Sequence, residues 1–211
     1  MRFVTRRNGK RNYRKAKVTE LRGMALRRWE NDPKLLGITL ARYKFVARMF
    51  GGMGNVLEVG CDVGFGARVV KQHVDNLTAI DKDPVAIEKA IAGNSDAWPI
   101  RFLTHDILAE PLPGFDGVYC LDVFEHISDE ERLLNNLSKS ARIVIIGIPS
   151  LESQRYASQD SLGAHVNCKS GADFKRTLRK HWQDVFLFGM NDETLHTGFH
   201  PMSHYLLAVC V

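Results

Sequence analysis

The sequence predicts a doubly wound α/β domain: a mixed sheet with helices on both faces and its last strand antiparallel. Two observations carry this. From residue 55 onward, short Val- and Ile-rich runs alternate with helix-length amphipathic stretches, the rhythm of strand–helix–strand units. The last two runs, 184–189 and 203–211, have no helix between them, which suits an antiparallel pair at the sheet edge better than another right-handed crossover.

Taken in order, "ARYKFVARMF" (41–50) places Tyr43, Val46, Ala47 and Phe50 on one helical face, and "GGMG" ends that helix. The runs 55–60, 77–81, 100–104, 116–122 and 142–148 are strand-sized and nearly continuously apolar, as buried parallel strands are. Helices are expected at 65–74, 84–92 and 129–138. The last of these has Ser128 as its cap and Glu131 three residues on, the spacing of a capping box. A further helix over 171–182 precedes the strand at 184–189, and about 13 loop residues lead to the final strand.

A chain of 211 residues with 45% hydrophobic content suits one domain with a sizeable core. The longest apolar runs are far below the roughly 20 residues that span a bilayer. Four widely spaced cysteines form no C-x-x-C pair, which disfavours a disulfide framework or a cysteine zinc site and makes a reducing cytoplasm the expected location. Residues 1–28 hold 11 Lys/Arg and one acid, leaving 18 Lys/Arg and 23 Asp/Glu in the rest. We therefore divide the chain into a basic arm over 1–34 and one domain over 35–211. The arm lacks the apolar core of a secretory signal. It offers a surface for an anionic partner, whereas the acidic body disfavours long nucleic-acid tracks.

"VLEVGCDVGFG" (56–66) joins a strand to a helix through glycines, but sets Glu58 and Asp62 where a phosphate-binding loop avoids acids. Carboxylates beside such a loop favour a cationic ligand, and a nicotinamide-binding turn is the competing reading. The spacing E-x-G-x-x-x-G at Glu58, Gly60 and Gly64 resembles motif I of the class I S-adenosylmethionine-dependent methyltransferases, with Asp62 standing where that family usually has a second glycine. The resemblance implies a Rossmann-like, seven-stranded sheet and an S-adenosylmethionine site. It places Cys61 and Asp62 in the cofactor loop, Asp81 with Lys82 at the ribose, Asp106 and Ile107 at the adenine, and Asp122 beside the cofactor.

After the fourth strand, "LDVFEHIS" spaces Asp122, Glu125 and His126 for one face of a helical turn, a set able to bind a divalent cation. D-x-x-E-H is similar to the E-x-x-E-H stretch of the ubiquinone-biosynthesis O-methyltransferases and of the 2′-O-methyltransferases of small RNA. That likeness implies a metal, Mg2+ being the expected ion, on Asp122, Glu125 and His126, and gives Glu125 and His126 catalytic roles. The polar insert 147–171 supplies His165 as the leading general base or a further ligand. The segment 190–204 carries His196, His200 and His204, but Gly198 and Pro201 argue against a helical metal pair and for a lid. The expected acceptor is a hydroxyl of a small molecule: a sugar, a glycan precursor or a phenol. RNA or protein is the second expectation, and a cofactor-binding regulator without transfer chemistry the third.

Overall fold

The computed structural model describes residues 23–157 and 159–211. The basic arm is therefore seen only from residue 23. Helix α1 (Gly23–Asn31) and helix α2 (Pro33–Met49) cover the stretch where the arm gives way to the body, and "LLGITLARYKF" lies wholly within α2. Pro33 at the first position and Asp32 as N-cap, accepting from the Lys34 amide at 3.1 Å, start α2.

The described strands form one eight-stranded sheet, in spatial order β3-β2-β1-β4-β5-β8-β6-β7. Strands β1 (Asn55–Val59), β2 (Asn76–Asp81), β3 (Arg101–Thr104), β4 (Phe115–Leu121) and β5 (Ala141–Pro149) run parallel. The order reverses between β1 and β4, and a crevice at the carboxyl ends of such a switch point is where this architecture places ligands. Helices α3 (Ala67–Lys71) and α4 (Pro84–Ala92) follow β1 and β2.

The strands alternate between two cores. Val56, Tyr119, Leu121 and Ile145 pack with Val46 and Phe50 of α2, Val70 of α3 and Ile87 of α4. On the opposite face Leu57, Val59, Val118, Val144 and Ile146 pack with α5 (Glu130–Ser140) and α6 (Gly171–Leu178), through Leu133, Leu137, Phe174 and Leu178. Fully burying each such side chain contributes about 1.5–3 kcal/mol. Glu58 is the exception, an acid only 2% exposed on the α2 side of β1.

The expected antiparallel pair is formed by β6 (Val185–Asn191) and β8 (Tyr205–Cys210), with β8 between β5 and β6, antiparallel to both and all six of its residues buried. Two expectations change. The sheet gains an eighth strand because β7 (Thr194–His196) folds back on β6 through a turn with Asp192 at φ 50°. Its three residues are exposed or half-buried, so no apolar run announces it. The cap of α5 is Asp129, whose carboxylate accepts from the Arg132 amide at 3.1 Å, and not Ser128. Asp and Ser cap equally well, so composition does not choose between neighbours. No described helix is long and apolar enough to cross a membrane.

Candidate active site

The crevice is built by the glycine turn after β1 and the segment after β4. Gly60 (φ 78°), Asp62 (φ 47°) and Gly64 (φ 72°) adopt left-handed conformations, which glycine takes freely and Asp tolerates. The Gly60 and Cys61 amides both donate to the Ile80 carbonyl, at 2.8 and 3.0 Å. A Cβ on Gly60 would lie 2.2 Å from Val123, so the two loops at the switch point touch only because residue 60 lacks a side chain.

Asp81, at the end of β2, is held by local backbone: its carboxylate accepts from the Asp62 amide at 2.9 Å and the Asp83 amide at 3.0 Å. Lys82 is exposed beside it. After β3, Asp106 accepts from the Leu108 amide at 2.9 Å and stays exposed, while Ile107 is buried against the β4 side of the core. Beneath the turn, burial pushes the Glu58 carboxyl up to about 8, partly countered by the Tyr119 and Tyr43 hydroxyls. Neither Glu58 Oε2 nor the Tyr119 hydroxyl makes a hydrogen bond of normal geometry.

Asp122, at φ 56°, turns the chain into a short 3-10 turn, Phe124–His126. Its carboxylate is taken by Arg42 of α2, at 2.8 and 2.9 Å, with Arg28 of α1 at 4.0 Å. The Arg42 guanidinium lies 3.7 Å above the Tyr205 ring, a cation–π contact. Asp122 therefore ties α2 to the sheet and is not grouped with Glu125 and His126.

His165 takes that place. Glu125, His126 and His165 offer donor atoms that all lie within 4.8 Å of one another. Glu125 is 1% exposed, and burial together with the Asp122 charge raises its carboxyl above the usual range. Its backbone carbonyl accepts from the Val166 and Asn167 amides, at 2.9 and 3.0 Å, which pins the insert after β5 to the turn after β4. The His126 Nδ1–H donates to the Ala164 carbonyl at 3.0 Å. His165 Nδ1 faces Gln154 Oε1 at 2.8 Å, and with the amide oxygen accepting, it is the donor. Both imidazoles thus spend Nδ1 on an acceptor, which in the neutral ring leaves Nε2 as the lone-pair nitrogen, the tautomer of a base or a metal ligand. Burial and the neighbouring His126 depress the His165 pKa, favouring its neutral form.

The segment expected as a lid, 190–204, is tied to the start of the insert: the Ser150 amide donates to the His204 carbonyl at 3.1 Å and Ser150 Oγ to the Ser203 carbonyl at 2.6 Å. His196 and His200 stack at 6.2 Å, and His196 Nε2 lies 3.2 Å from Ser203 Oγ, but neither joins a group of three potential metal ligands among the described residues. Residue spacing alone did not reveal Gln154 and Ala164 as the partners that fix the two imidazoles, or Arg42 as the partner of Asp122. In the last case, a buried-face Arg in an otherwise apolar helical stripe was the available signal.

A cationic, ribose-bearing cofactor fits this crevice: Glu58 is a buried acid with no cation opposite it among the described residues, and Asp81 closes β2 at the glycine turn. Two imidazoles and a carboxylate fit a divalent ion of the transition series. Magnesium prefers an all-oxygen set, so the donor chemistry departs from the expected Mg2+.

Comparison with known proteins agrees with this geometry. A family model described as a methyltransferase domain matches residues 24–183. The ubiquinone biosynthesis O-methyltransferase of Pseudomonas aeruginosa (strain UCBPP-PA14) is 30% identical over 122 residues, 54% of this chain and 53% of that protein. The chain thus aligns with about half the length of this relative. The methyltransferase domain of bacterial CtHen1 superposes with a TM-score of 0.66 at 15% identity, over 82% of this chain and 97% of that one. Magnesium protoporphyrin IX methyltransferase from Synechocystis PCC 6803, solved with S-adenosylmethionine bound, gives a TM-score of 0.60 at 18% identity, over 91% and 86%. At such identities the two structures speak for the fold, and the family match speaks for descent: the chain belongs to the methyltransferase-domain family.

Proposed function

We propose that the protein is an S-adenosylmethionine-dependent methyltransferase acting on a hydroxyl of a small molecule, with a phenol-like acceptor favoured over a polyanion. The observation that carries the reading is the Glu125–His126–His165 group, with both Nδ1 atoms committed elsewhere and both Nε2 atoms available. When bound, S-adenosylmethionine supplies a methyl group on a sulfonium leaving group. The chain's part is to hold cofactor and acceptor in line and to remove the hydroxyl proton.

Asp81 would accept from the ribose hydroxyls and Asp106 from the adenine amino group, with Ile107 as apolar neighbour. Cys61, Asp62 and Lys82 flank the same turn. His165 Nε2 takes the acceptor proton, while Gln154 holds the ring and Glu125 and His126 shape the pocket floor. Exposed Tyr156, Val166 and Phe199, from the insert and the lid, offer ring-sized apolar surface. In the same insert, Arg155 is stacked on Tyr156 at 4.9 Å and Lys169 is paired with Glu130 at 2.7 Å. That chemistry favours an aromatic acceptor over a phosphate backbone. The Pseudomonas O-methyltransferase supports oxygen as the acceptor atom.

The same three donors would also hold a divalent ion, which supplies Lewis acidity to an acceptor hydroxyl when bound. Loss of turnover with EDTA, restored by Mn2+ or Co2+ but not by Mg2+, would establish that variant. Unchanged turnover with EDTA would leave His165 as the base.

Radiolabelled methyl transfer from S-adenosylmethionine into a cell extract, fractionated into small molecules, RNA and protein, tests the reading. We expect label in the small-molecule pool. Label in RNA would put the basic arm and its 11 Lys/Arg over residues 1–28 in the acceptor surface instead.

A further inference from the structure

One buried acid of the cofactor crevice takes part in none of the steps assigned above. Glu58 is the penultimate residue of β1, two positions before the left-handed Gly60. Its cross-strand neighbours are Ala79 in β2 and Tyr119 in β4. Its side chain shares the α2 face with Val56, and Tyr43 of α2 covers it. Every titratable group that faces it is neutral or acidic: Tyr43 from α2, Tyr119 from β4, Cys61 from the glycine turn and Asp81 from the end of β2. Among the described residues no Lys, Arg or His faces it, and Oε2 has no hydrogen-bond partner.

A carboxylate in such a place costs several kcal/mol unless a cation compensates it. The cheaper state of the unliganded protein is the neutral acid. Among the other acids of the crevice, Asp122 has Arg42, Asp81 and Asp106 cap backbone amides, and Glu125, likewise buried with Oε2 unpartnered, lies beside the imidazoles after β4 and not under the glycine turn.

We propose that Glu58 couples cofactor charge to proton release: it is a neutral acid in the empty site and ionises to solvent when a cationic cofactor settles on the glycine turn. The inference rests on the cofactor reading above and deepens it. The methyl donor carries a sulfonium and an ammonium against one carboxylate, a net positive charge. The demethylated product has lost the sulfonium charge and is neutral overall. Ionised Glu58 therefore holds the donor more strongly than the product, and the site discriminates in the direction that turnover needs. Glu58 acts here as a positioning residue for charge rather than as a catalytic one. The raised Glu58 carboxyl, at about 8, puts the exchange in the neutral range.

Calorimetric titration of the full chain with S-adenosylmethionine and with S-adenosylhomocysteine, at pH 7 in buffers of different ionisation enthalpy, counts the protons released. The expected result is on the order of one more proton for the donor than for the product, with the difference abolished in Glu58→Gln. Donor affinity should rise by up to about tenfold per pH unit from pH 6 to 8 in the wild type and clearly less in the variant. Equal proton counts for the wild type and Glu58→Gln would overturn the proposal and leave the cofactor assignment standing. Failure of the wild type to bind either compound would overturn the cofactor assignment itself. Should Glu58→Gln fail to fold, infrared difference spectra of the wild type decide: a protonated-carboxyl band lost on adding donor but kept with product supports the proposal, and no such loss refutes it.

Discussion

The two halves of the crevice are built differently. On the β1–β3 side, the polar groups other than Glu58 are fixed by backbone within a few residues of a strand end or across one strand pair. Asp81 holds the Asp62 and Asp83 amides, Asp106 holds the Leu108 amide, and the turn leans on the Ile80 carbonyl. On the β4–β5 side, the groups are assembled from distant segments: His126 is oriented by Ala164, His165 by Gln154, and Asp122 by Arg42 from 80 residues away. The first half is a property of strand ends, whereas the second depends on the insert after β5 being docked. The first suits the proposed cofactor, the second the proposed acceptor.

The most damaging change should be Gly60→Ala. It forces a side chain into a left-handed conformation and into contact with Val123, at a cost of about 1–3 kcal/mol for the backbone strain. Cofactor affinity, read by calorimetry, should fall more than 100-fold. Removing His165 should break the other half alone: methyl transfer by His165→Ala should drop by about 10²–10⁴, with cofactor affinity within about threefold of wild type. Unchanged turnover would remove His165 as the base. No turnover with any acceptor, by wild type as well, would favour a cofactor-binding regulator. Next in size, Asp81→Ala removes two charge-assisted bonds to the turn and the acceptor for the ribose. Losing the two intramolecular bonds should lower Tm, and losing a charge-assisted bond to the ribose, about 1.5–3 kcal/mol, should lower cofactor affinity by about 10–100-fold.

These differences explain what could be read in advance. The strand–helix alternation was legible because the strands are buried on both faces, so their apolar runs are nearly unbroken. That Asp81 ends β2 and Asp106 follows β3 was legible because the apolar runs of those strands stop there. The grouping of Asp122 with Glu125 and His126 was not, because a left-handed residue 122 and a 3-10 turn replace the assumed α-helical spacing. Strand β7 escaped notice because its stability comes from the β6 hairpin and not from burial. No local pattern pairs Arg42 with Asp122: that contact exists only once α2 has packed over the sheet.

The Arg42–Asp122 pair joins the two halves. Arg42→Met keeps the stem and loses the charge, leaving Asp122 without its principal cation. An unmatched, partly exposed acid should cost about 1–3 kcal/mol, read as a lower Tm, and adding Asp122→Asn should restore part of the loss. A further effect concerns pH. Glu58 sits at about 8 in the folded chain against an ordinary carboxyl near 4.5. Between those values the native state binds more protons than the unfolded chain, so its stability falls as pH rises. The slope is at most about 1.4 kcal/mol per pH unit for one group. Denaturant unfolding from pH 5 to 8 should show this decline, reduced in Glu58→Gln and not abolished, because the raised Glu125 carboxyl adds a decline of the same sign.

The division between a cofactor half and an acceptor half is tested most directly by measuring cofactor affinity and methyl transfer on the same preparation of the His126→Ala, His165→Ala double variant. The account predicts S-adenosylmethionine affinity within about threefold of wild type and transfer into the small-molecule pool reduced at least 100-fold, the scale of a lost general base. Loss of cofactor binding along with transfer, or transfer that survives both substitutions, would contradict it.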